Sequence, residues 1–402
     1  MKRMIMLAVM ALLALSLALP ASAQPSNWSL YLLNSGTQQL LRLYLNGSQQ
    51  SYDLGLAPGS SIGQHMIDFT ADGNRAAYCA IVNTPDGAQA FLTIKDLTNP
   101  AAQPFNVAYG VAQGCYVNFS DDASQIALGL VHYYASDPNA DPSIPAWQLL
   151  VLDAGSGALL HEMDASKSGS IFDPTRTIMP EVRYFANNQI VFAGLTWGAD
   201  GSPTSPAYFW QLGNDTIQAI DRWWHNGLDS LAHTGELVWT ELDANTPAAQ
   251  PGGPMPQANT VKLADKSGQE RVIYAIPDWV LMETKFIDNG RQLAISELQA
   301  FDPNSTPGNQ ATRWIALDRS GNASELATTL GFSQVAAAPD GYVILTASDN
   351  SAAPVLTLEY HTGRETTPLW QQQESSGSSW SLLWAAPTAT ADGLQAFPTV
   401  TQ

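Results

Sequence analysis

The sequence predicts an all-β fold built from repeated sheets, and three observations support this prediction. Pairs of hydrophobic strands recur along the chain, and a tight turn joins the two strands of each pair. These turns lie 47 to 65 residues apart. Beyond residue 23, no stretch shows the hydrophobic period of a helix. Strand repeats of this length are typical of a β-propeller, in which each repeat forms one four-stranded sheet, or blade.

The tight turn is the most regular part of the repeat. Its clearest copies are Phe69-Thr70-Ala71-Asp72-Gly73 and Phe119-Ser120-Asp121-Asp122, and weaker copies turn at Asn187-Asn188, Thr234-Gly235, Asn289-Gly290 and Asp340-Gly341. A second hairpin, in which an alternating strand ends in Asp and a Gly-containing turn, recurs in Leu149–Gly157, Val261–Gly268 and Trp314–Gly321. Two hairpins per repeat supply the four strands of one blade.

Six complete blades are predicted between Gln64 and Gln373, with one segment left over at each end. The segment Trp28–Leu54 has the pattern of three outer strands, and Trp380–Ala386 has the pattern of an innermost strand. Joining them gives a seventh blade and closes the ring, which leaves no open edge between the ends. The alternative is a six-bladed ring with two free tails.

The first 23 residues are predicted to be a signal peptide. A basic start, Met1-Lys2-Arg3, precedes an apolar run, Met4–Leu19, and the small-residue cleavage motif Ala21-Ser22-Ala23. The alternative is a retained membrane anchor, for which the apolar run is short. We therefore expect residues 24–402 to form a single propeller domain without a transmembrane anchor. This domain would be periplasmic or extracellular after cleavage near Ala23.

The charge of the chain limits its partners. Asp and Glu number 36 against 17 Lys and Arg, which gives a formal net charge of −19. Nucleic acids and anionic membranes are bound by basic surfaces, so neither is an expected partner. We expect a monomer whose acidic surface keeps it soluble.

The two cysteines, Cys79 and Cys115, could form one disulfide in an oxidising compartment. Cys79 is predicted on the second strand of one blade and Cys115 on the first strand of the next. Neighbouring blades pack face to face, so the two side chains could meet. The alternative is a pair of small, buried thiols.

The turn motifs resemble the WD40-like repeats of TolB-type propellers. The resemblance is carried by the two copies at Phe69 and Phe119 and by Ala338-Pro339-Asp340-Gly341, and it extends in degenerate form over nearly all of the predicted mature chain. It implies a propeller scaffold with an extracytoplasmic binding function. It implies no catalytic residue, because Asp and Gly serve the turn.

Insertions concentrate at one place in the repeat, the connection from the second strand to the third. They are Ala135–Ala146, Gly198–Pro206, Asp243–Thr260 and Phe301–Thr312. Because strand direction alternates, these connections share one face of the ring with the connections between blades, whereas the tight turns lie on the other. Long loops on one rim of a repeat protein commonly bind partners.

Aromatic side chains accompany these insertions. The predicted ligand-binding residues are Trp197, at the end of a second strand, and Trp223, Trp224, His225 and Trp279, in connections between blades. Tryptophans beside polar loops can stack on sugar rings or anchor peptides. Alternatively, they fill the spaces between blades.

Two acidic residues, Glu241 and Glu297, occupy equivalent positions in adjacent repeats and are the only candidates for catalysis. If their carboxylates converged on the central funnel, they could share a proton, hold Ca²⁺ or perform acid–base chemistry. Three acids at the starts of innermost strands could contribute: Glu181, Asp229 and Glu283. The alternative is a set of solvated strand ends, and apart from Ca²⁺ no cofactor is expected.

Motifs for nucleophiles, zinc or nucleotides are absent from the sequence, and the histidines are scattered. His65 and His132 are notable only because they could approach the central channel. The sequence therefore favours a binding or scaffold propeller that engages a protein, peptide or glycan through its long-loop rim. The alternative is a hydrolase or lyase that acts on a sugar or lactone with carboxylates at the funnel.

Overall fold

A computed structural model describes most of the chain between residues 28 and 400. The gaps are residues 59, 86, 100–103, 134–142, 168–179, 195, 198–202, 205, 215, 224–226, 232–233, 242–257, 266, 278, 300–310, 330–331, 349–353, 364, 375–378 and 386–393. Residues 1–27, which include the predicted signal peptide and cleavage site, lie outside the described part. The remainder folds into seven four-stranded antiparallel sheets.

The strands are grouped here by blade. Blade 1 holds β1 (Ser29–Asn34), β2 (Gln39–Tyr44), β3 (Gln49–Asp53) and β30 (Trp380–Ala385). Blade 2 holds β4 (Ile67–Phe69), β5 (Arg75–Thr84), β6 (Gly87–Asp96) and β7 (Phe105–Val111). Blade 3 holds β8 (Gly114–Phe119), β9 (Gln125–Val131), β10 (Trp147–Asp153) and β11 (Leu159–Asp164). Blade 4 holds β12 (Pro180–Ala186), β13 (Gln189–Gly194), β16 (Pro206–Gln211) and β17 (Ile217–Trp223).

Blade 5 holds β18 (Asp229–Leu231), β19 (Glu236–Glu241), β20 (Thr260–Ala264) and β21 (Glu270–Ala275). Blade 6 holds β22 (Trp279–Ile287), β23 (Gln292–Gln299), β24 (Thr312–Asp318) and β25 (Ala323–Thr329). Blade 7 holds β26 (Ser333–Ala338), β27 (Gly341–Ala347), β28 (Val355–Thr362) and β29 (Glu365–Gln373). A separate short hairpin, β14 (Thr196–Trp197) and β15 (Pro203–Thr204), lies in the connection from β13 to β16. Among the described residues, 3₁₀ turns cover Gln64–Met66 and Asp288–Gly290.

The two chain ends close the ring by sharing blade 1. The C-terminal strand β30 is its innermost strand and pairs with β1, while β2 and β3 lie further out. Each innermost strand contacts the innermost strand of the next blade, all the way around. The prediction of seven blades closed by both ends is confirmed, and the six-bladed alternative is wrong.

The repeated turn has a local chemical cause. In blade 2 the Thr70 hydroxyl donates to the Asp72 carboxylate at 2.6 Å and accepts the backbone N–H of Arg75 at 3.1 Å. In blade 3 the Ser120 hydroxyl donates in the same way to Asp122 at 2.7 Å. The recurring Thr/Ser and Asp therefore hold the turn by side-chain hydrogen bonds to the backbone and to each other.

Gly73 completes the first turn in a conformation that favours glycine. Its φ is +65°, and a Cβ atom there would lie 2.6 Å from the indole of Trp384 on blade 1. Its carbonyl accepts a hydrogen bond from the hydroxyl of Tyr31, also on blade 1, at 2.6 Å. The turn that defines the repeat therefore also joins neighbouring blades.

The core is divided among the interfaces between blades, with one apolar cluster at each of the seven. The cluster between blades 2 and 3 contains Cys79 on β5 and Cys115 on β8, which are both buried and joined by a disulfide. This bond links two neighbouring blades covalently.

Side chains on the innermost strands add polar bonds between blades. A carboxylate oxygen of Asp68 accepts the backbone N–H of Phe119 on the next blade at 2.7 Å. Asp229 does the same for Phe286 at 2.7 Å, and the side-chain oxygen of Gln334 accepts the backbone N–H of Leu382 at 2.7 Å. These bonds tie blade 2 to 3, blade 5 to 6 and blade 7 to 1.

Residues 394–400, near the C-terminus, lie against blades 5 and 6. Phe397 is buried in the cluster between these two blades, and the Arg319 guanidinium lies 4.5 Å from the centroid of its ring. The backbone N–H of Val400 donates to the carbonyl of Val272 on β21 at 2.9 Å. This C-terminal segment therefore seals one interface from the tight-turn face.

Within the described residues, no helix has the length and apolar character needed to cross a membrane.

Candidate functional site

The strand order confirms the predicted positions of the insertions. Long connections join β9 to β10, β13 to β16, β19 to β20 and β23 to β24, each a second strand to the third strand of its blade. These connections define the long-loop face, and the turns between first and second strands define the opposite, tight-turn face. Most of the inserted residues lie outside the described part of the chain.

Four of the five predicted aromatic site residues cannot be assigned contacts. Trp197 lies in β14, paired with Pro203, and Trp223 ends β17, the outermost strand of blade 4, so it is not in a connection. The side chains of both fall outside the described part, as do Trp224 and His225 entirely. Their role in ligand binding stays a prediction.

Trp279 is described, and its position corrects the prediction. It begins β22, the innermost strand of blade 6, because the strand extends to the rim where a connection was expected. Its indole is partly exposed, and the Arg313 guanidinium lies 4.0 Å from its ring centroid. This distance fits a cation–π contact.

Glu297 also contacts the Arg313 guanidinium. Its side chain is fully buried and forms a short ion pair with Arg313, its cross-strand neighbour on β24. Its second oxygen accepts the hydroxyl of Tyr274 from blade 5 at 2.6 Å. Burial raises the pKa of Tyr274, and Glu297 raises it further, so the phenol stays protonated and donates.

Glu241 has a similar pair of partners within blade 5. Its carboxylate accepts from the Lys262 ammonium at 2.8 Å and from the Trp239 indole N–H at 2.8 Å. Lys262 lies on β20, the adjacent strand of the same sheet. The two acids thus share a pattern of one cation and one aromatic hydrogen-bond donor each.

The structure does not bring Glu241 and Glu297 together. Trp239, on the same face of β19 as Glu241, packs against Val191 of blade 4. Glu297 instead reaches Tyr274 of blade 5. The sheet of blade 5 therefore separates the two carboxylates, and each is neutralised by its own cation.

A different group forms at the mouth of the channel, where the innermost strands begin. The His65 imidazole Nδ1 lies 2.9 Å from a carboxylate oxygen of Glu181, although His65 is in the 3₁₀ turn before blade 2 and Glu181 is on β12 of blade 4. Arg183 lies 2.8 Å from the other oxygen. Burial alone would raise the pKa of Glu181, but His65 and Arg183 outweigh it and hold the pKa below its ordinary value.

The other residues named from the sequence lie elsewhere. The imidazole nitrogens of His132 lie 2.6 Å from the Val111 carbonyl and 2.7 Å from the Gln148 side-chain oxygen, away from the channel mouth. Glu283 lies in the middle of β22 rather than at its start, 3.3 Å from Lys285. Both residues have partners within their own part of the ring.

Asp229 begins β18, as predicted. Burial raises its pKa to about 6, although the hydrogen bond from Phe286 acts in the opposite direction. The same cause raises the pKa of Asp68 to about 6. Each carboxylate accepts a backbone hydrogen bond from the next blade. We therefore attribute both raised pKa values to contacts that hold the ring together rather than to a functional site.

Within the described part of the chain, no three His, Cys, Asp or Glu side chains are grouped so as to hold a metal ion. Sequence reasoning missed the cations Arg183, Lys262 and Arg313. An oppositely charged residue at the facing position of the next strand would have been the signal for Arg313.

Comparisons with known proteins agree with the fold. No protein-family model matches the chain, and no curated protein matches it significantly. Prolyl oligopeptidase B from Galerina marginata, solved with a 25mer macrocyclization substrate, has a TM-score of 0.53 at 10% identity over 87% of this chain and 52% of that one. A structure from a study of two prolyl endopeptidases has a TM-score of 0.49 at 9% identity over 89% of this chain and 50% of that one.

The propeller domain of the Trilobed protease from Pyrococcus furiosus has a TM-score of 0.47 at 10% identity, over 83% of this chain and 87% of that one. The chain thus spans about half the length of the two prolyl peptidase structures. At these identities the likeness shows the fold alone, and the chain is a seven-bladed β-propeller.

Proposed function

We propose that this protein is an exported binding propeller that engages a protein, peptide or glycan through its long-loop face. The observation that carries the proposal is the cluster of Trp279, Arg313, Glu297 and Tyr274 at the rim of blade 6. The cluster presents an indole and a guanidinium on a fixed support.

The support is the buried part of the cluster. Glu297 is inaccessible to solvent, whereas Arg313 keeps 27% of its side chain exposed. Glu297 holds the guanidinium from one side and Trp279 stacks against it, so little side-chain freedom remains to be lost on binding. A rigid indole beside a planar cation suits stacking on a sugar ring or docking of a peptide.

The hydrolase or lyase alternative draws support only from the fold-level likeness to peptidase propellers. Its candidate carboxylates, Glu241 and Glu297, lie on opposite sides of blade 5 and are each paired with a cation. A general acid and base must both reach one substrate, so this arrangement favours binding over catalysis.

Export is part of the proposal. The basic and apolar N-terminal sequence supports it, and so does the disulfide, because such bonds persist mainly in oxidising compartments. The TolB-type resemblance of the turns agrees with an extracytoplasmic binding function. Mass spectrometry of the protein recovered from the native host should show a mature chain that starts at Gln24, whereas an intact Met1 would contradict cleavage of a signal peptide.

Binding can be tested with glycan and peptide arrays probed by the purified protein. We expect Trp279→Ala to weaken retained ligands about tenfold or more, in keeping with a central aromatic anchor. Trp370→Ala is the matched control, because Trp370 is a partly buried tryptophan on the outermost strand of blade 7. Equal loss in both variants, or no retained ligand at all, would count against the proposal.

A further inference from the structure

A groove of about 640 Å³ opens between blades 4 and 5 on the tight-turn face. Its walls are aromatic and aliphatic side chains of both blades: Tyr184, Val191 and Phe209 from blade 4, and Leu237 and Trp239 from blade 5. We call this space the 4–5 groove. Its volume lies in the range of small-ligand sites, and its walls are mainly apolar.

The equivalent space between blades 5 and 6 is filled. There the C-terminal segment inserts Phe397, which is 2% exposed, among side chains such as Leu231 and Leu317. Arg319 ion-pairs with Glu236 at 2.8 Å and donates to the backbone carbonyl of Gln395 at 2.8 Å, so it holds the segment in place. We call this space the 5–6 groove.

One position explains much of the difference. The outer hairpins of the two blades align by their turns, Asp265 to Gly268 and Asp318 to Gly321. In this alignment Ala264 of blade 5 matches Leu317 of blade 6. Leu317 is buried in the 5–6 groove, whereas the methyl group of Ala264 leaves the 4–5 groove open.

We propose that the 4–5 groove binds an extended segment of another protein that presents one large aromatic side chain. The C-terminal segment in the neighbouring groove supplies the precedent for this occupant. The rim carries two carboxylates, Asp265 and Glu270, and Arg271 lies close enough to Asp265 to help lower its pKa. The net charge of −19 on the chain also disfavours an acidic partner, so the bound segment is neutral or basic.

The backbone offers a second point of attachment. In the 5–6 groove the Val400 N–H bonds to Val272 on β21, the outermost strand of blade 5. The matching strand beside the 4–5 groove is β17, which is outermost in blade 4 and places Gln218 at the groove. A bound segment can therefore donate to the edge of β17 as Val400 does to β21.

This site is independent of the proposed function on the long-loop face. It lies on the opposite face, and none of its walls belongs to the Trp279 cluster. The failure of either proposal would leave the other standing.

The test uses a fluorescent peptide with the sequence Lys-Ala-Phe-Pro-Thr-Val, which copies the C-terminal segment and adds a positive charge. Fluorescence anisotropy should show saturable binding to the full-length protein, and replacing the peptide's phenylalanine by alanine should weaken it about tenfold or more. Ala264→Leu fills the groove as Leu317 fills its neighbour and should also weaken binding about tenfold or more.

Two further variants keep the test decisive. Ala323→Leu adds the same bulk at an exposed position on blade 6 and should leave the affinity unchanged. Glu270→Lys changes the charge at the exposed rim without touching the walls, and it should weaken binding about threefold. Thermal unfolding of each variant checks that the fold is intact.

The proposal is overturned if the peptide fails to bind at about 1 mM. It is overturned equally if Ala264→Leu and Glu270→Lys both bind like the wild type. Binding of the small dye 8-anilinonaphthalene-1-sulfonate that Ala264→Leu abolishes, without any peptide binding, would assign the groove to a small apolar molecule and also overturn it.

Discussion

The 4–5 and 5–6 grooves occupy equivalent places in the same repeat, yet one is open and the other is sealed. Thirteen buried apolar residues, Phe397 among them, make up the 5–6 cluster. Among the described residues, three make up the 4–5 cluster: Val191, Trp239 and Ala264. The repeat therefore builds the blades, whereas single substitutions and a segment outside the repeat decide how tightly neighbouring blades close.

Polar bonds also hold the sealed groove together. Asp229 holds Phe286 across the blade 5–6 interface, and Arg319 joins Glu236 there. The contrast predicts that perturbing sealed interfaces costs stability, whereas filling the open one adds stability.

The disulfide joins blades 2 and 3 covalently, and its removal has the largest expected effect on stability. The Cys79–Cys115 disulfide spans 36 residues, and closing a loop of this size stabilises a fold by about 4 kcal/mol. We expect the Cys79→Ala/Cys115→Ala variant to lose about that free energy of unfolding in urea titrations. A loss below about 1 kcal/mol would show that this interface does not need the bond.

Emptying the 5–6 groove is the next largest expected effect. Phe397→Ala removes a buried ring and leaves a cavity, which costs about 3 kcal/mol. Urea unfolding measures the loss, and Val400→Ala, at an exposed position of the same segment, is the control with an expected change below about 0.5 kcal/mol. If the two variants were equally stable, the C-terminal segment would not seal the groove.

Filling the 4–5 groove should act in the opposite direction. Ala264→Leu adds apolar surface to an open, apolar space, and we expect a gain of about 1 kcal/mol in the free energy of unfolding. Thermal unfolding is the simplest measurement, with Ala323→Leu as the control for added bulk at the surface. A marked loss of stability would mean that the groove cannot accept a side chain there.

A further prediction concerns pH and the hydrogen bond between Asp229 and Phe286, which joins blades 5 and 6. The folded pKa of Asp229, about 6, lies above its ordinary value of 3.8, so its contribution to stability is full below about pH 4 and is lost as pH rises through 6. Asp229→Asn keeps an oxygen to accept the Phe286 N–H but cannot ionise. We therefore expect the variant to gain about 2 kcal/mol in the free energy of unfolding over the wild type between pH 4 and pH 7.

Asp96→Asn is the control, because the pKa of Asp96 is lowered by its hydrogen bonds with Thr98. This variant should show no comparable gain between pH 4 and pH 7. Parallel pH profiles for Asp229→Asn and the wild type would contradict the assigned role of Asp229.

The sequence was sufficient to predict the ring because its repeat is made of local chemistry. Asp72 and Gly73 form their turn from contacts within a few residues, and the strand patterns at both ends already indicated a shared blade. The strand at Trp279 was missed because its extension depends on pairing with Gln299 of β23, which is a long-range contact.

The candidate site was harder to predict for a reason that follows from the repeat itself. Glu241 and Glu297 occupy equivalent positions, and equivalent positions in a ring of blades point toward equivalent neighbours. Each therefore faces the preceding blade, and a sheet stands between them. The C-terminal segment was missed as well, because nothing local in residues 394–400 indicates which interface they seal.

The most direct test of the contrast between the two grooves is to locate a bound peptide by photocrosslinking. The peptide described above, with benzoylphenylalanine in place of its phenylalanine, would be crosslinked to the wild-type protein and mapped by mass spectrometry. We predict crosslinks to the walls of the 4–5 groove, at Tyr184, Phe209, Leu237 or Trp239. Crosslinks confined to the 5–6 groove or to the long-loop face would contradict the proposal that the 4–5 groove is the open binding site.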